Sequence, residues 1–212
     1  MVIMKTEKVQ FRHTFDLSGG ELCLDFANTV SNRKIPSQRW DLLDEYQDLV
    51  AFAVQSRYLS VELAREYLAI SDAEPRATTR ALEDARKLRE AIYRIFSGYV
   101  ARRQASVEDL TLIRDVVVES WEHKRLAPAG RGYLWLTMQD EGVRLESVLW
   151  PVAHSAAALL TSDRLKQVRM CDAQTCAWLF LDESRNHSRR WCDMKVCGNR
   201  EKARRHYQRE HM

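Results

Sequence analysis

Glycine and proline are scarce, seven and four in 212 residues. That is too few for a long disordered linker or for a loop-rich β protein, whose turns draw on both. Long apolar runs are missing as well. The most apolar stretch, Val148 to Thr161, contains Pro151 and His154. It falls short of the ~20 residues that cross a bilayer. Residues 1–15 carry Lys5, Glu7, Lys8 and Arg12 and offer no apolar segment of signal-peptide length. These absences predict a cytoplasmic chain with no membrane partner. There is no internal repeat, no Gly-rich phosphate loop, no nucleophile elbow and no His-Glu-x-x-His pattern, so no enzyme and no catalytic residue is expected. Cysteine is limited to five, an odd number that argues against a disulfide framework.

Hydrophobic periodicity fills most of the first 160 residues. Leu22, Cys23, Phe26, Ala27 and Val30 mark one face of a short first helix, with Asp25, Asn28, Thr29 and Asn32 on the other. Ser18-Gly19-Gly20 reads as the turn before it. A second helix is predicted over about 41–55, with Leu42, Tyr46, Leu49, Val50 and Ala53 inward, and a third over 61–70. A long helix over 75–102 repeats Leu82, Ala85, Leu88, Ile92, Ile95 and Tyr99 at steps of three and four. Pro75 suits its first turn. Ser106 reads as an N-cap, with Asp109 in the place of a capping-box acid, and Leu110, Ile113, Val117 and Trp121 follow as a stripe. The period then changes to two. Residues 123–127 and 132–138 flank Pro128-Ala129-Gly130 and predict a β-hairpin. A last helix over about 143–160 turns Leu145, Leu149, Val152, Ala156 and Leu159 inward, with a kink expected at Pro151. The fold class is therefore mainly α: a helical N-terminal domain with one β-hairpin, residues 1–163, then a small C-terminal module, residues 164–212.

Four of the five cysteines lie in that module, as Cys171-x4-Cys176, fifteen residues, then Cys192-x4-Cys197. Two close pairs on separate segments can clamp one ion. Four thiolates suit the borderline-soft, tetrahedral Zn²⁺ and leave no position open for substrate, so one structural Zn²⁺ is the expected cofactor. In so small a module the ion should supply much of the folding energy, with apparent binding of ~10–16 kcal/mol in small fingers. Residues 167–170 and 178–181 read as two strands, and 198–207 as a closing helix. A knuckle, a hairpin and a helix make a treble-clef-like finger. Cys23 stands apart among apolar neighbours and reads as a buried thiol.

The formal charge of +3 hides an asymmetry. From Arg164 onward there are 12 Lys and Arg against 6 Asp and Glu, leaving 21 against 24 before it. The zinc site does not require that excess. Arg185, Arg189, Arg190 and Lys195 lie between the cysteine pairs, and Arg200, Lys202, Arg204, Arg205 and Arg209 on the closing helix. Arg200 with Arg204, and Arg205 with Arg209, stack at i, i+4 with no intervening acid, an arrangement that an anion would relieve. Phosphates are the obvious anion, so nucleic acid is the expected partner. Asn186, His187, Ser188 and Trp191 could add contacts, and Trp178, Trp191 and Tyr207 could either stack on bases or pack beside the zinc.

The run Cys192-Asp193-Met194-Lys195-Val196-Cys197-Gly198-Asn199-Arg200 resembles the signature of the CGNR zinc-finger family, and Trp178-Leu179-Phe180-Leu181-Asp182 with Ser184-Arg185-Asn186 and Ser188-Arg189-Arg190-Trp191 fits the same pattern. Gly19-Gly20-Glu21-Leu22-Cys23-Leu24-Asp25-Phe26-Ala27-Asn28-Thr29 resembles the opening of the ABATE domain that precedes such fingers. The resemblance implies a bacterial, stress-induced transcription regulator, with Cys171, Cys176, Cys192 and Cys197 as zinc ligands and DNA as the partner of the finger. It transfers no catalytic or ligand-binding residue in the body. DNA is expected before RNA, and an RNA- or protein-binding adaptor is the alternative. A single small finger spans few base pairs, which favours a homodimer. The polar side of the first helix, Asp25, Asn28 and Asn32 with Arg33, could line a pocket for a small-molecule effector, the alternative being an ordinary solvent face.

Overall fold

The structure, a computed structural model, describes residues 11–137 and 142–210. Its centre is α4, Pro75–Val100, with Ala85, Leu88, Ile92, Ile95 and Phe96 buried along one face. Around it pack α1 (Leu22–Ala27), α2 (Tyr46–Gln55), α3 (Val61–Ala73) and α5 (Val107–Glu122), and α6 (Trp150–Leu160) lies against α1 and α5. Phe26 of α1 and Phe52 of α2 meet at 5.4 Å between ring centroids, and Phe15 completes the aromatic row. Two short antiparallel pairs interrupt the helices. β1 (Val30–Ser31) pairs with β2 (Trp40–Asp41), and β3 (Lys124–Ala129) with β4 (Gly132–Thr137) in a hairpin whose Leu126 stands opposite Trp135. The last residue expected in that hairpin, Met138, lies outside the described residues. Among the described residues, no helix is long and apolar enough to cross a membrane.

Four boundaries differ from the periodic reading, each for a tertiary reason. The first helix stops at Ala27. The Thr29 hydroxyl turns back to the Phe26 carbonyl, Val30 enters β1, and Asn32 adopts φ +52, a left-handed geometry that Asn tolerates. Residues 41–45 stay outside α2. Asp41 is taken by Arg89, whose buried guanidinium grips both carboxylate oxygens at 2.5 and 2.7 Å. The helix instead starts at a capping box formed by Glu45 and Asp48. Asp109 does not close a capping box. It accepts Arg94 from α4 at 2.9 and 2.5 Å, while the expected N-cap Ser106 receives the Asp109 amide. Pro151 opens α6 rather than kinking it, because its missing N–H costs nothing in a first turn. Residues 145–149 before it form a 3₁₀ turn with Leu145, Val148 and Leu149 buried. Leu110 and Trp121 of the expected α5 stripe remain more than two-fifths exposed, so Ile113 alone of that row is fully buried.

The C-terminal segment adds β5 (Val168–Met170), β6 (Leu179–Leu181) and α7 (Asn199–Glu210). β5 and β6 form an antiparallel hairpin, with Arg169 opposite Phe180. Side chains alternate across a strand, and β6 uses both faces. Leu179 and Leu181 enter the core of the helical body, while Phe180 enters a second, small core with the four cysteines and Ala173.

Candidate metal centre and nucleic-acid interface

The first pair of cysteines sits on a knuckle at the tip of the β5–β6 hairpin. The Cys171 amide donates to the Trp178 carbonyl at 2.8 Å and the Cys176 amide to Ala173 at 3.3 Å. Closing the knuckle puts Ala177 at φ +70, where a residue with a Cβ is uncommon. The second pair flanks a turn held by Asp193. Its side chain receives the Val196 amide at 2.7 Å, and its carbonyl the Gly198 amide at 3.0 Å. A widened turn over Met194–Gly198 then feeds α7. Gly198 is closely covered. A Cβ there would lie 2.4 Å from the Met194 sulfur and 3.5 Å from the Trp191 ring.

All four sulfurs lie within 4.8 Å of one another and are buried. Cys192 Sγ stands 3.7 Å from both Cys176 and Cys197 Sγ. A zinc ion at ~2.3 Å from four sulfurs sets them ~3.8 Å apart along a tetrahedron edge, so the spacing fits this ion. Thiols this close cannot ionise independently. Hydrogen bonds from the other three cysteines hold Cys171 below the usual thiol range, while bonds to the same set push Cys192 above it. A dication resolves that conflict by binding all four as thiolates. The surrounding groups fit the resulting double negative charge. The Trp178 amide donates to Cys176 Sγ at 3.4 Å and the Arg200 guanidinium to Cys197 Sγ at 3.3 Å. The Lys34 ammonium bonds the carbonyls of Cys171 and Ala173 at 3.0 and 2.9 Å. With every coordination position filled by sulfur, this is a structural zinc site. Cys23 is separate and inert. It is fully buried beside α6, and burial pushes its thiol up to about 12.

Of the polar residues of the first motif, Asn28 meets the finger, while Asp25, Asn32 and Arg33 bond within the body. Asn28 is buried and pairs with both backbone groups of Leu179, donating to the carbonyl at 2.8 Å and accepting the amide at 2.9 Å. Arg33 forms a fork with Glu90 at 2.8 and 3.1 Å, bonds the Ala27 carbonyl, and lies 3.8 Å over the Tyr93 ring. Tyr93 in turn donates to the Ala177 carbonyl, and the Trp178 indole to Val30. Asp25 receives the Gly19 amide at 2.7 Å, and burial pushes its carboxyl up to about 7 against that bond. Asn32 donates to Gln38 and borders a small notch of about 130 Å³ next to the cysteines. Asn28 therefore ties α1 to β6, Arg33 packs on Tyr93 beside the knuckle, and Asp25 holds the turn before α1.

The nine basic residues divide into two groups. Five are engaged within the finger. Arg189 lies 4.5 Å over Phe180 and donates to the carbonyls of Trp191 and Cys192. Arg190 pairs with Asp172, and Arg200 meets Cys197. Arg204 pairs with Glu201 at 2.9 Å, and Arg205 bonds the Glu201 carbonyl. Glu201 is thus an intervening acid that the i, i+4 reading passed over. It is buried and also accepts the Gln174 amide, which with Arg204 holds its carboxyl below the usual range. The other four, Arg185, Lys195, Lys202 and Arg209, are exposed and have no partner among the described residues. Lys202 and Arg209 are seven residues apart, two helical turns, and share one face of α7.

The loop before these residues is fixed by Asp182, a group the sequence reading did not single out. Its carboxylate is fully buried and accepts the Ser184 hydroxyl, the Ser184 amide and the Arg189 amide. Burial opposes its charge, but those bonds win and hold the carboxyl below its usual range. His187 turns inward to the Asp182 carbonyl, and Trp178 and Trp191 pack against the cysteine core, leaving Tyr207 exposed.

No curated protein is significantly similar to the chain. Residues 167–210 match the CGNR zinc finger. Residues 20–163, more than half of the molecule, match the ABATE family, so the chain belongs to that family, described as "Putative stress-induced transcription regulator", with a CGNR zinc finger following its ABATE region.

Proposed function

We propose that the protein is a DNA-binding transcription regulator in which the finger grips the phosphate backbone and the helical body, residues 1–163, senses an effector. The observation that carries this reading is the division of the basic residues. Arg185, Lys195, Lys202 and Arg209 have no anionic partner among the described residues, while five neighbouring arginines are engaged in the architecture. Uncompensated cations held on a metal-fixed frame are the footprint expected of phosphate binding. The zinc ion in this reading does no chemistry and the protein is not an enzyme. It sets the geometry of the loop and α7.

A footprint of four cations is small for sequence selection, so the active species is a pair of chains. The apolar strip of Leu110, Val118 and Trp121 on α5, continued by Tyr133 and Trp135 of the hairpin, supports pairing of two copies. RNA offers the same phosphates. The test is binding of the full chain to labelled duplex DNA and to structured RNA at matched salt. Tighter binding to DNA, weakening with salt, is expected. Preference for RNA overturns the assignment, and absence of binding to either overturns the nucleic-acid reading.

A further inference from the structure

The body contains a cleft that no residue of the finger lines. It encloses about 760 Å³ between the α2–α3 connection, α3, the β3–β4 hairpin and α6. That volume lies in the range of small-molecule sites. Among the described residues its wall carries three cations, Lys124, Arg125 and Arg144, and no acid. Arg144 is compensated from outside by Glu146 at 2.8 Å and Glu119 at 3.8 Å. Lys124 and Arg125 have no carboxylate partner among the described residues. The Lys124 ammonium lies 4.6 Å over the Trp121 ring and 3.4 Å from His154 Nε2, and neither carries a full negative charge.

A second observation is independent of charge. Trp150 is only 4% exposed, lines the cleft, and its indole N–H has no hydrogen-bond partner among the described residues. The hydroxyl of Tyr58, another residue of the wall, is also buried and has no partner among the described residues. Buried donors are normally paired, and those left over in a cavity ask for an acceptor. Leu59, Leu63 and Val148 give the wall an apolar stretch.

We propose that this cleft is the effector site and that it takes an amphipathic organic anion, an apolar body with one carboxylate. The apolar part lies against Leu59, Leu63 and Val148. The carboxylate is held by Lys124 and Arg125. The word effector rests on the regulator reading above. The binding site does not.

The test uses the full chain and the fluorescent sulfonate 1-anilinonaphthalene-8-sulfonate as the probe, with decanoate and its neutral analogue decanol as competitors. Saturable binding of one probe per chain is expected, with decanoate displacing it at least tenfold more tightly than decanol. The double variant Lys124→Gln/Arg125→Gln should weaken decanoate at least tenfold and leave decanol unchanged. Val148→Trp, which fills the apolar wall, should weaken both. Circular dichroism checks that each variant is folded, and the Lys124/Arg125 double variant keeps the test decisive if Val148→Trp is not. No saturable binding, equal competition by decanol, or unchanged decanoate binding by the double variant would overturn the proposal. None of these measurements contains DNA, so their failure removes the cleft site and leaves the finger reading standing.

Discussion

If only the unpaired cations meet phosphate, the salt dependence of DNA binding can be worked out residue by residue. Each phosphate neutralised on duplex DNA contributes ~0.9 to the slope of log K against log salt. Four contacts, from Arg185, Lys195, Lys202 and Arg209, give a slope of about −3.6. Over a fourfold rise in salt, from ~50 to ~200 mM, each contact then costs about 3.5-fold in affinity and the four together about 150-fold. The double variant Lys202→Gln/Arg209→Gln removes two contacts from one face of α7 and should lower the slope by ~1.8. Arg204→Gln is the matched control. It removes the same formal charge from the same helix, but Arg204 is already paired with Glu201 at 2.9 Å. Its slope should stay within ~0.3 of the native value if that pair persists on DNA. Fluorescence anisotropy on one labelled duplex, repeated at four salt concentrations, measures all three slopes. A double variant with the native slope would refute the reasoning. So would an Arg204→Gln slope reduced as far per charge as that of the double variant, because internal pairing would then say nothing about which cations are available.

Three further outcomes follow from the packing. Elemental analysis should find one zinc per chain, and removal by a strong chelator should disrupt the environment of Trp178 and Trp191 in near-ultraviolet dichroism while most helical signal remains; iron in place of zinc would count against the site. Asn28→Ala leaves the amide and carbonyl of Leu179 unpaired and should cost about 2–4 kcal/mol in denaturant unfolding, whereas a loss below ~0.5 kcal/mol would show that water replaces the side chain. Asp25 titrates at about 7 in the folded protein against 3.8 for an ordinary aspartate, because burial disfavours its charge. Its contribution is nil below the lower value and becomes destabilising as pH rises through the interval. Asp25→Asn can still accept the Gly19 amide, so the variant should gain stability relative to the native chain as pH rises from 3.8 to about 7, the span of this shift. Parallel unfolding curves with a constant difference across that range would exclude Asp25 as the titrating group.

The metal ligands were legible because their chemistry is local. Cys171-x4-Cys176 and Cys192-x4-Cys197 each close one turn, and the ion requires nothing else of the sequence. The helices from α3 to α5 were legible for the same reason, since three- and four-residue steps and the cap at Ser106 act within a few positions. What could not be read depends on partners far along the chain. The first helix ends where Asn28 turns to Leu179, 151 positions away. Lys34 supports the knuckle from 137 positions away. Nothing in either neighbourhood marks these roles. Glu201 and Asp182 are intermediate cases. Both lie beside basic residues that were singled out, but an acid among arginines reads as a neighbour on a solvated helix until its burial is known.

The shared strand carries a consequence for how the two halves respond to each other. Phe180 belongs to the metal core, and Leu179 and Leu181 on either side of it belong to the helical core. Any free energy that zinc adds to the placement of this strand is therefore added to the folding of the body. By reciprocity, folding of the body must tighten the hold on zinc by the same factor. Metal affinity becomes a report on the state of a domain that contributes no ligand to the metal. An event that loosens the packing of α1 or α4 would be read out at the finger as a weaker grip on its ion, before any change in the exposed face of α7.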